Sequence, residues 1–336
     1  MRRRQGFTLV ELIVAMALIV MMMTILSWAF ANALDTFQQM KAIGDLEERL
    51  RSATVVLRRD IAADHLEGKR RIGDSQYWPA NSGAHPRPID RLGLSQGVAR
   101  EGFIRLINGG LTNEGSDGDG IASVRVTGDV LHFSVKLRGN NRHDFFSARA
   151  PGLMGRRTTY FNQPFDTFYV EGDGTLRSQW GEIAYFLHPN GQSTIRGNTP
   201  LYGLWRCQYL VIPDTTTLTG ISGGWQNYCH ISCQGGGTVT FNNPTDMATN
   251  VNRRAFDARN VRGTFNPNNP EAHSATLVMP DVISFDVKAT TDGINFGDIN
   301  YDSRTNTNRI RGLRVSLRVW DVRSETTRQI TIYEDF

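Results

Sequence analysis

From Leu12 to Leu34 the chain has 23 consecutive residues without a charge, nearly all of them apolar. As a helix rising ~1.5 Å per residue, such a run spans about 34 Å and covers a hydrocarbon layer ~30 Å thick. Arg2, Arg3 and Arg4 precede it, and Asp35 is the first charge after it. That one-sided positive charge places residues 1–6 in the cytoplasm and everything beyond about residue 35 outside. The whole chain has a mean hydropathy of −0.34, which excludes a polytopic membrane protein. One anchor on a large polar remainder is the expected plan.

Two features set this segment apart from an ordinary anchor. Glu11 stands within the apolar run Phe7–Leu34, where an ionisable group is costly unless partnered. Gly6 stands at the join between the basic leader and the helix. Cutting between Gly6 and Phe7 would create an α-amino group four residues before the Glu11 carboxylate. In one chain or between neighbours, that cation can neutralise Glu11 inside an apolar bundle. A conventional signal peptide fits less well, although Ala29-Phe30-Ala31 resembles a cleavage site. The apolar stretch is much longer than the usual ~7–15 residues, and Glu11 breaks it.

The arginine leader, Gly6, Phe7-Thr8-Leu9-Val10-Glu11 and the long apolar helix together resemble the type III signal of type IV pilins and type II secretion pseudopilins. The resemblance implies cleavage by a prepilin peptidase after Gly6, N-methylation of Phe7, and a role for Glu11 in docking subunits during assembly. It further implies other pilin or pseudopilin subunits, an inner-membrane assembly platform and the lipid bilayer as partners. Location would be the inner membrane, with the head in the periplasm or outside, and then the filament.

Beyond the membrane run, Ile43, Leu46, Leu50, Ala53, Leu57 and Ile61 recur at steps of three and four. This stripe predicts an amphipathic helix over 35–68, continuous with the helix of 7–34, with Asp45, Glu48, Arg49, Arg51, Arg59 and Asp60 on the opposite face. Gly44 is its soft point and Gly68 its stop. The remainder, 69–336, reads as a β-rich head with loops at 69–120 and a long, asparagine- and glycine-rich insertion at about 213–271. Alternation predicts strands at Val124–Val126 and Val130–Val135 around a Thr127–Asp129 turn, and at Leu201–Val211. Thr167–Val170 and Glu182–Leu187 form a second hairpin candidate about Gly172–Gly174. Val282–Val287, Ile310–Trp320 and Thr327–Tyr333 close the chain, the last two as a hairpin. The fold class is α+β: one long amino-terminal helix packed on an antiparallel head. The closing strands resemble those of large minor subunits, the J-class pseudopilins and W-class minor pilins.

No catalytic residues are expected: G-x-S-x-G occurs at Gly93–Gly97 and Gly220–Gly224, but in glycine-rich loop stretches without the strand-to-helix setting of a nucleophile elbow, and no H-E-x-x-H, P-loop or G-x-G-x-x-G opening a helix occurs. His132 on its alternating strand reads as structural. Without the leader arginines the net charge of +4 is close to neutral, which leaves no footprint for nucleic acid. Cys207, Cys229 and Cys233 sit in an exported domain, where disulfides are favoured, and Cys207 joined to Cys229 or Cys233 is the expected bridge. A zinc site using His230, or three separate thiols, are the other arrangements open to them. Asp298, Asn300 and Asp302 alternate like the start of a calcium loop, but Ser303 and Arg309 replace the glycine and glutamate such a loop needs. Solvated turn residues are the preferred reading there, and no cofactor is expected.

A structural subunit, a minor pilin or pseudopilin and not an enzyme, is therefore the function expected. The other reading is a single-pass, membrane-anchored extracytoplasmic binding protein that uses the 213–271 insertion.

Overall fold

The computed structural model describes residues 8–65, 102–116, 122–139, 141–149, 168–170, 174–194, 198–213, 221–222, 228–234, 238–248, 253, 265–303, 305–306, 310–322 and 325–336. Gly6, Phe7, Gly68, Asp117–Gly120 and the whole 69–101 stretch lie outside them.

Helix α1 runs unbroken from Leu9 to Ile61, 53 residues, and passes straight through Gly44. It stops before Gly68 because tertiary contacts seize the chain. The Ala62 N–H returns to the Arg58 carbonyl, and the Lys136 N–H donates to the Asp64 carbonyl at 2.7 Å. Asp64 thus makes a β-bridge with Lys136. The buried His65 ring places Nε2 2.8 Å from the Ile61 carbonyl and Nδ1 2.8 Å from the Ser134 carbonyl. Burial holds its pKa below the ordinary histidine range.

The strands in chain order begin with β1 Ile104–Ile107, β2 Leu111–Ser116, β3 Ala122–Val126, β4 Val130–Lys136 and β5 Phe146–Arg149. Next come β6 Phe168–Val170, β7 Thr175–Ser178, β8 Trp180–Ser193, β9 Pro200–Leu210 and β10 Ile221–Ser222. The last are β11 Cys233–Gln234, β12 Thr238–Phe241, β13 Ala275–Thr290, β14 Tyr301–Asp302, β15 Gly312–Asp321 and β16 Thr326–Asp335. Eight of them form one antiparallel sheet in the order β14-β1-β4-β8-β9-β13-β15-β16.

Both faces of this sheet are used, as the alternation along β8 makes plain. Ile183, Tyr185 and Leu187 join the core beneath α1, together with Leu46, Leu50, Leu57 and Ile61. Ala184 and Phe186 turn to the reverse face and pack with Cys207, Tyr209 and Phe265. A strand buried on both faces reads as a continuous apolar run, which is how 182–187 looks in sequence.

The α+β plan and the closing hairpin stand as expected, but two pairings differ. β3 and β4 do not pair: β3 joins β2, while β4 lies between β1 and β8. The Thr127–Asp129 link crosses between sheets, held by Asp129, which accepts from the Gly109 and Val287 N–H groups at 2.9 Å each. Gly109 and Gly128 meet back to back there, and a Cβ on either would collide with the other's backbone. The 168–170 strand pairs with Thr175–Ser178 and not with 182–187. Parts of the 213–271 insertion are also structured. Tyr228, Ile231, Cys233, Val239 and Phe241 enter the principal core, and β10, β12 and β11 form a small sheet.

Candidate functional site

The first turn of α1 is built by its own sequence. Thr8 is the N-cap, in extended backbone, and Glu11 is the third helical residue. The Thr8 N–H and hydroxyl both donate to Glu11 Oε2 at 3.0 Å, and the Glu11 N–H returns to Thr8 Oγ1 at 3.4 Å. This is a capping box, with two otherwise orphaned donors satisfied reciprocally. The carboxylate thus has a partner in its own chain, which the reading of Glu11 by charge alone missed. The signal was present as the T-x-x-E spacing of Thr8 and Glu11.

From Leu9 to Lys41 every residue of α1 is exposed, and Ala42 is the first buried one. Leu9 is 76% exposed, Met22 73% and Trp28 70%. The best 18-residue window has a mean hydropathy of 2.7, so by length and composition this helix can cross a membrane. The hydroxyls of Thr24 and Thr36 donate to the Val20 and Asn32 carbonyls at 2.8 Å. They therefore satisfy themselves within the helix and need no water. So large a continuous apolar surface requires lipid or other helices to cover it.

A polar clamp centred on Asp60 joins the carboxy-terminal part of α1 to the head. The Tyr185 hydroxyl and Arg206 Nε both donate to Asp60 Oδ2 at 2.6 Å, and Arg206 Nη2 donates to Oδ1 at 3.2 Å. Asp60, expected on the solvated face of the helix, is 4% exposed. Burial, reinforced by the Asp60 charge, pushes the Tyr185 hydroxyl well above the usual range. Arg138 and Asp64 add a second ion pair at the end of the helix.

The residues singled out in the head fall elsewhere. None of the three cysteines, all of them among the described residues, forms a disulfide. Cys207 belongs to the reverse-face cluster and Cys233 to the principal core cluster. The expected bridge from Cys207 is not formed in this structure. Burial pushes the Cys207 thiol up to about 12. His230 Nδ1 lies 2.8 Å from Ser274 Oγ.

The calcium candidates have separate partners. Asp302 takes the Arg253 guanidinium at 2.7 and 3.2 Å, Asp298 takes Lys288, and Asn300 Oδ1 accepts the Asn108 N–H at 2.9 Å. Asp302 is buried, which also corrects the solvated-turn reading for that residue. Among the described residues no group of three or more His, Cys, Asp or Glu is placed to hold a metal.

His132 is sealed in the interior. Its Nε2 lies 2.9 Å from Glu182 Oε1, and the other carboxylate oxygen accepts from Ser232 Oγ at 2.6 Å. Asn242 Nδ2 donates to the same hydroxyl at 3.0 Å. All four side chains belong to fully buried residues. Burial, against the pull of Glu182, holds His132 below its usual pKa. A serine and a histidine on opposite oxygens of one buried carboxylate tie the insertion to the sheet, and no substrate reaches them.

The family model of the prokaryotic N-terminal methylation motif matches residues 1–27. No curated protein matches the chain. No solved structure matches it either. The matched segment contains Gly6, Phe7, Glu11 and the first half of the apolar run. With a single exposed apolar helix behind it, this type IV pilin-like signal fits a membrane-anchored precursor that a peptidase processes.

Proposed function

We propose that the protein is a minor pilin or pseudopilin, cut between Gly6 and Phe7, methylated at Phe7, and built into a type II secretion pseudopilus or a type IV pilus. Its size and closing strands favour a large minor subunit of the J-class or W-class kind. The observation that carries the reading is the Leu9–Lys41 part of α1, which is exposed throughout and opens on the Thr8–Glu11 capping box. A plain anchor needs about 20 apolar residues and no carboxylate. A filament subunit needs a longer rod, so that the head can stand clear while helices pack side by side in the filament core. In that core Glu11 would meet the Phe7 ammonium of its own or a neighbouring chain.

Amino-terminal mass spectrometry of the membrane-extracted protein tests the first step. The expected product begins at methylated Phe7. A retained arginine leader would favour the membrane-anchored binding protein, and a start near Asn32 would establish an ordinary signal peptide.

A further inference from the structure

The reverse face of the large sheet changes character across its width. Over β8 and β9 it is apolar and covered by Phe265. Over β13, β15 and β16 it becomes polar. Register sets the rows: Lys288, Arg314 and Tyr333 in one, Asp286, Ser316 and Thr331 in the next, Ser284, Arg318 and Gln329 in the third. An antiparallel sheet often leaves one face wet, so polarity alone means little. Here, however, the face is partly roofed. The β2–β3 hairpin lies across it, with the Val126 N–H donating to Ser284 Oγ at 2.9 Å. Leu111, Val124 and Val126 form one wall of a cleft of about 370 Å³ whose floor is these three strands. That volume lies within the range of small-ligand sites, ~300–1,000 Å³.

Two groups lining the cleft are incompletely satisfied. Arg314 Nε and Asp286 Oδ1 are buried, and among the described residues neither has a hydrogen-bond partner. Their closest approach to each other is 4.0 Å, too long for a hydrogen bond. Burial raises the Asp286 carboxyl above its ordinary range. Buried polar atoms are normally paired, so a donor and an acceptor both left over in one cleft ask for a ligand offering the complements. Hydroxyls extend the floor, with Ser316 Oγ 3.3 Å from Thr331 Oγ1. At the rim Tyr333 is 57% exposed and packs edge-on against Phe296, with ring centroids 5.6 Å apart.

We propose that this cleft binds a hydroxylated carboxylate, specifically an acidic sugar unit. Its carboxylate would take the Arg314 guanidinium in charge-assisted hydrogen bonds. Its ring hydroxyls would donate to Asp286 and exchange bonds with Ser316 and Thr331, while the apolar face of the ring rests on Tyr333. The site faces away from α1, so it stays accessible whatever covers the helix.

Titration calorimetry on the full chain in lipid nanodiscs tests this, with glucuronate as ligand, and glucose and acetate as comparators. Saturable glucuronate binding in the millimolar range or tighter is expected, with glucose and acetate each at least about tenfold weaker. Arg314→Gln should weaken glucuronate about tenfold or more. Tyr333→Ala, an exposed rim change that cannot collapse the core, should weaken it severalfold. Absence of saturable glucuronate binding overturns the proposal. So does acetate binding as well as glucuronate, or both variants binding like wild type. Amino-terminal processing is read separately, so failure here leaves the filament reading standing, and the reverse also holds.

Discussion

Glu11 carries two duties that a single substitution confounds. Its carboxylate completes the capping box with Thr8, and in the proposed filament its charge would meet an ammonium group. Glutamine at this helical position also closes a capping box. Glu11→Gln therefore keeps the cap and removes the charge, whereas Glu11→Leu removes both. Loss of the cap costs roughly 1 kcal/mol of helix stability. Loss of the charge leaves an ammonium uncompensated in an apolar bundle, which costs on the order of 3–5 kcal/mol. That is more than a hundredfold on a docking equilibrium, since ~1.4 kcal/mol is a factor of ten. Crosslinking with filament components should thus find Glu11→Gln nearly as defective as Glu11→Leu, both with normal membrane residence. If Glu11→Gln assembles like wild type and Glu11→Leu does not, the carboxylate serves the helix start and the pairing idea fails.

Helix α1 meets the sheet through an apolar stripe, but one polar contact sets its register. Asp60 holds Tyr185 on β8 and Arg206 on β9, all three largely out of water. Asp60→Ala leaves the Arg206 guanidinium uncompensated, and should destabilise the head by about 3–5 kcal/mol. Tyr185→Phe removes only one hydrogen bond, and should cost about 1 kcal/mol. Denaturant unfolding of the two variants checks the ratio, and equal small losses would show that the stripe alone positions the helix. The stripe itself was legible: Leu46, Leu50, Ala53, Leu57 and Ile61 are all buried. Asp60 was not, because one carboxylate among charged neighbours has no period that marks it as buried. The helix end was missed for a related reason, since His65 and Asp64 stop α1 through contacts with Ser134 and Lys136, about 70 residues away. The insertion hid its core residues in the same way. Phe241 lies on the four-residue β12, and Tyr228 and Ile231 stand outside the named strands, so none of the three belongs to a repeat long enough to read. At the amino terminus, by contrast, the Thr8–Glu11 capping box and the motif matched over residues 1–27 are patterns of residues close together in the chain, and such patterns can be read in sequence.

For the whole molecule, α1 divides at Ala42 into a part the head requires and a part that stays exposed. Leu46, Leu50, Leu57 and Ile61 lie in the principal core, each 6% exposed or less. At about 1.5–3 kcal/mol for each large side chain, they contribute roughly 6–12 kcal/mol. That is comparable to the entire stability of an ordinary domain, about 5–15 kcal/mol. Residues 9–41 contribute nothing of this kind, being exposed throughout. A chain beginning at Gln38 keeps every buried residue of the helix and four residues of lead to absorb fraying at the new end. Its 42–61 segment stays helical because packing, not propensity, holds most protein helices. The Gln38 chain should therefore be soluble and unfold cooperatively in calorimetry, with a melting temperature that a Leu34→Ala change in the full chain leaves unaltered. A chain beginning at Ala62 should fail to fold, exposing Phe133, Tyr185 and Phe285 to water and binding a hydrophobic dye. Should the Ala62 chain melt cooperatively like the Gln38 chain, the sheet is self-sufficient and α1 is a rod attached to a finished head. Should the Gln38 chain fail to fold, the exposed half of the helix supports the head in a way its lack of buried residues does not predict. The expected result lies between these: a head that borrows twenty residues of helix as core, and a protruding rod whose only surface is the one it offers to lipid and to other helices.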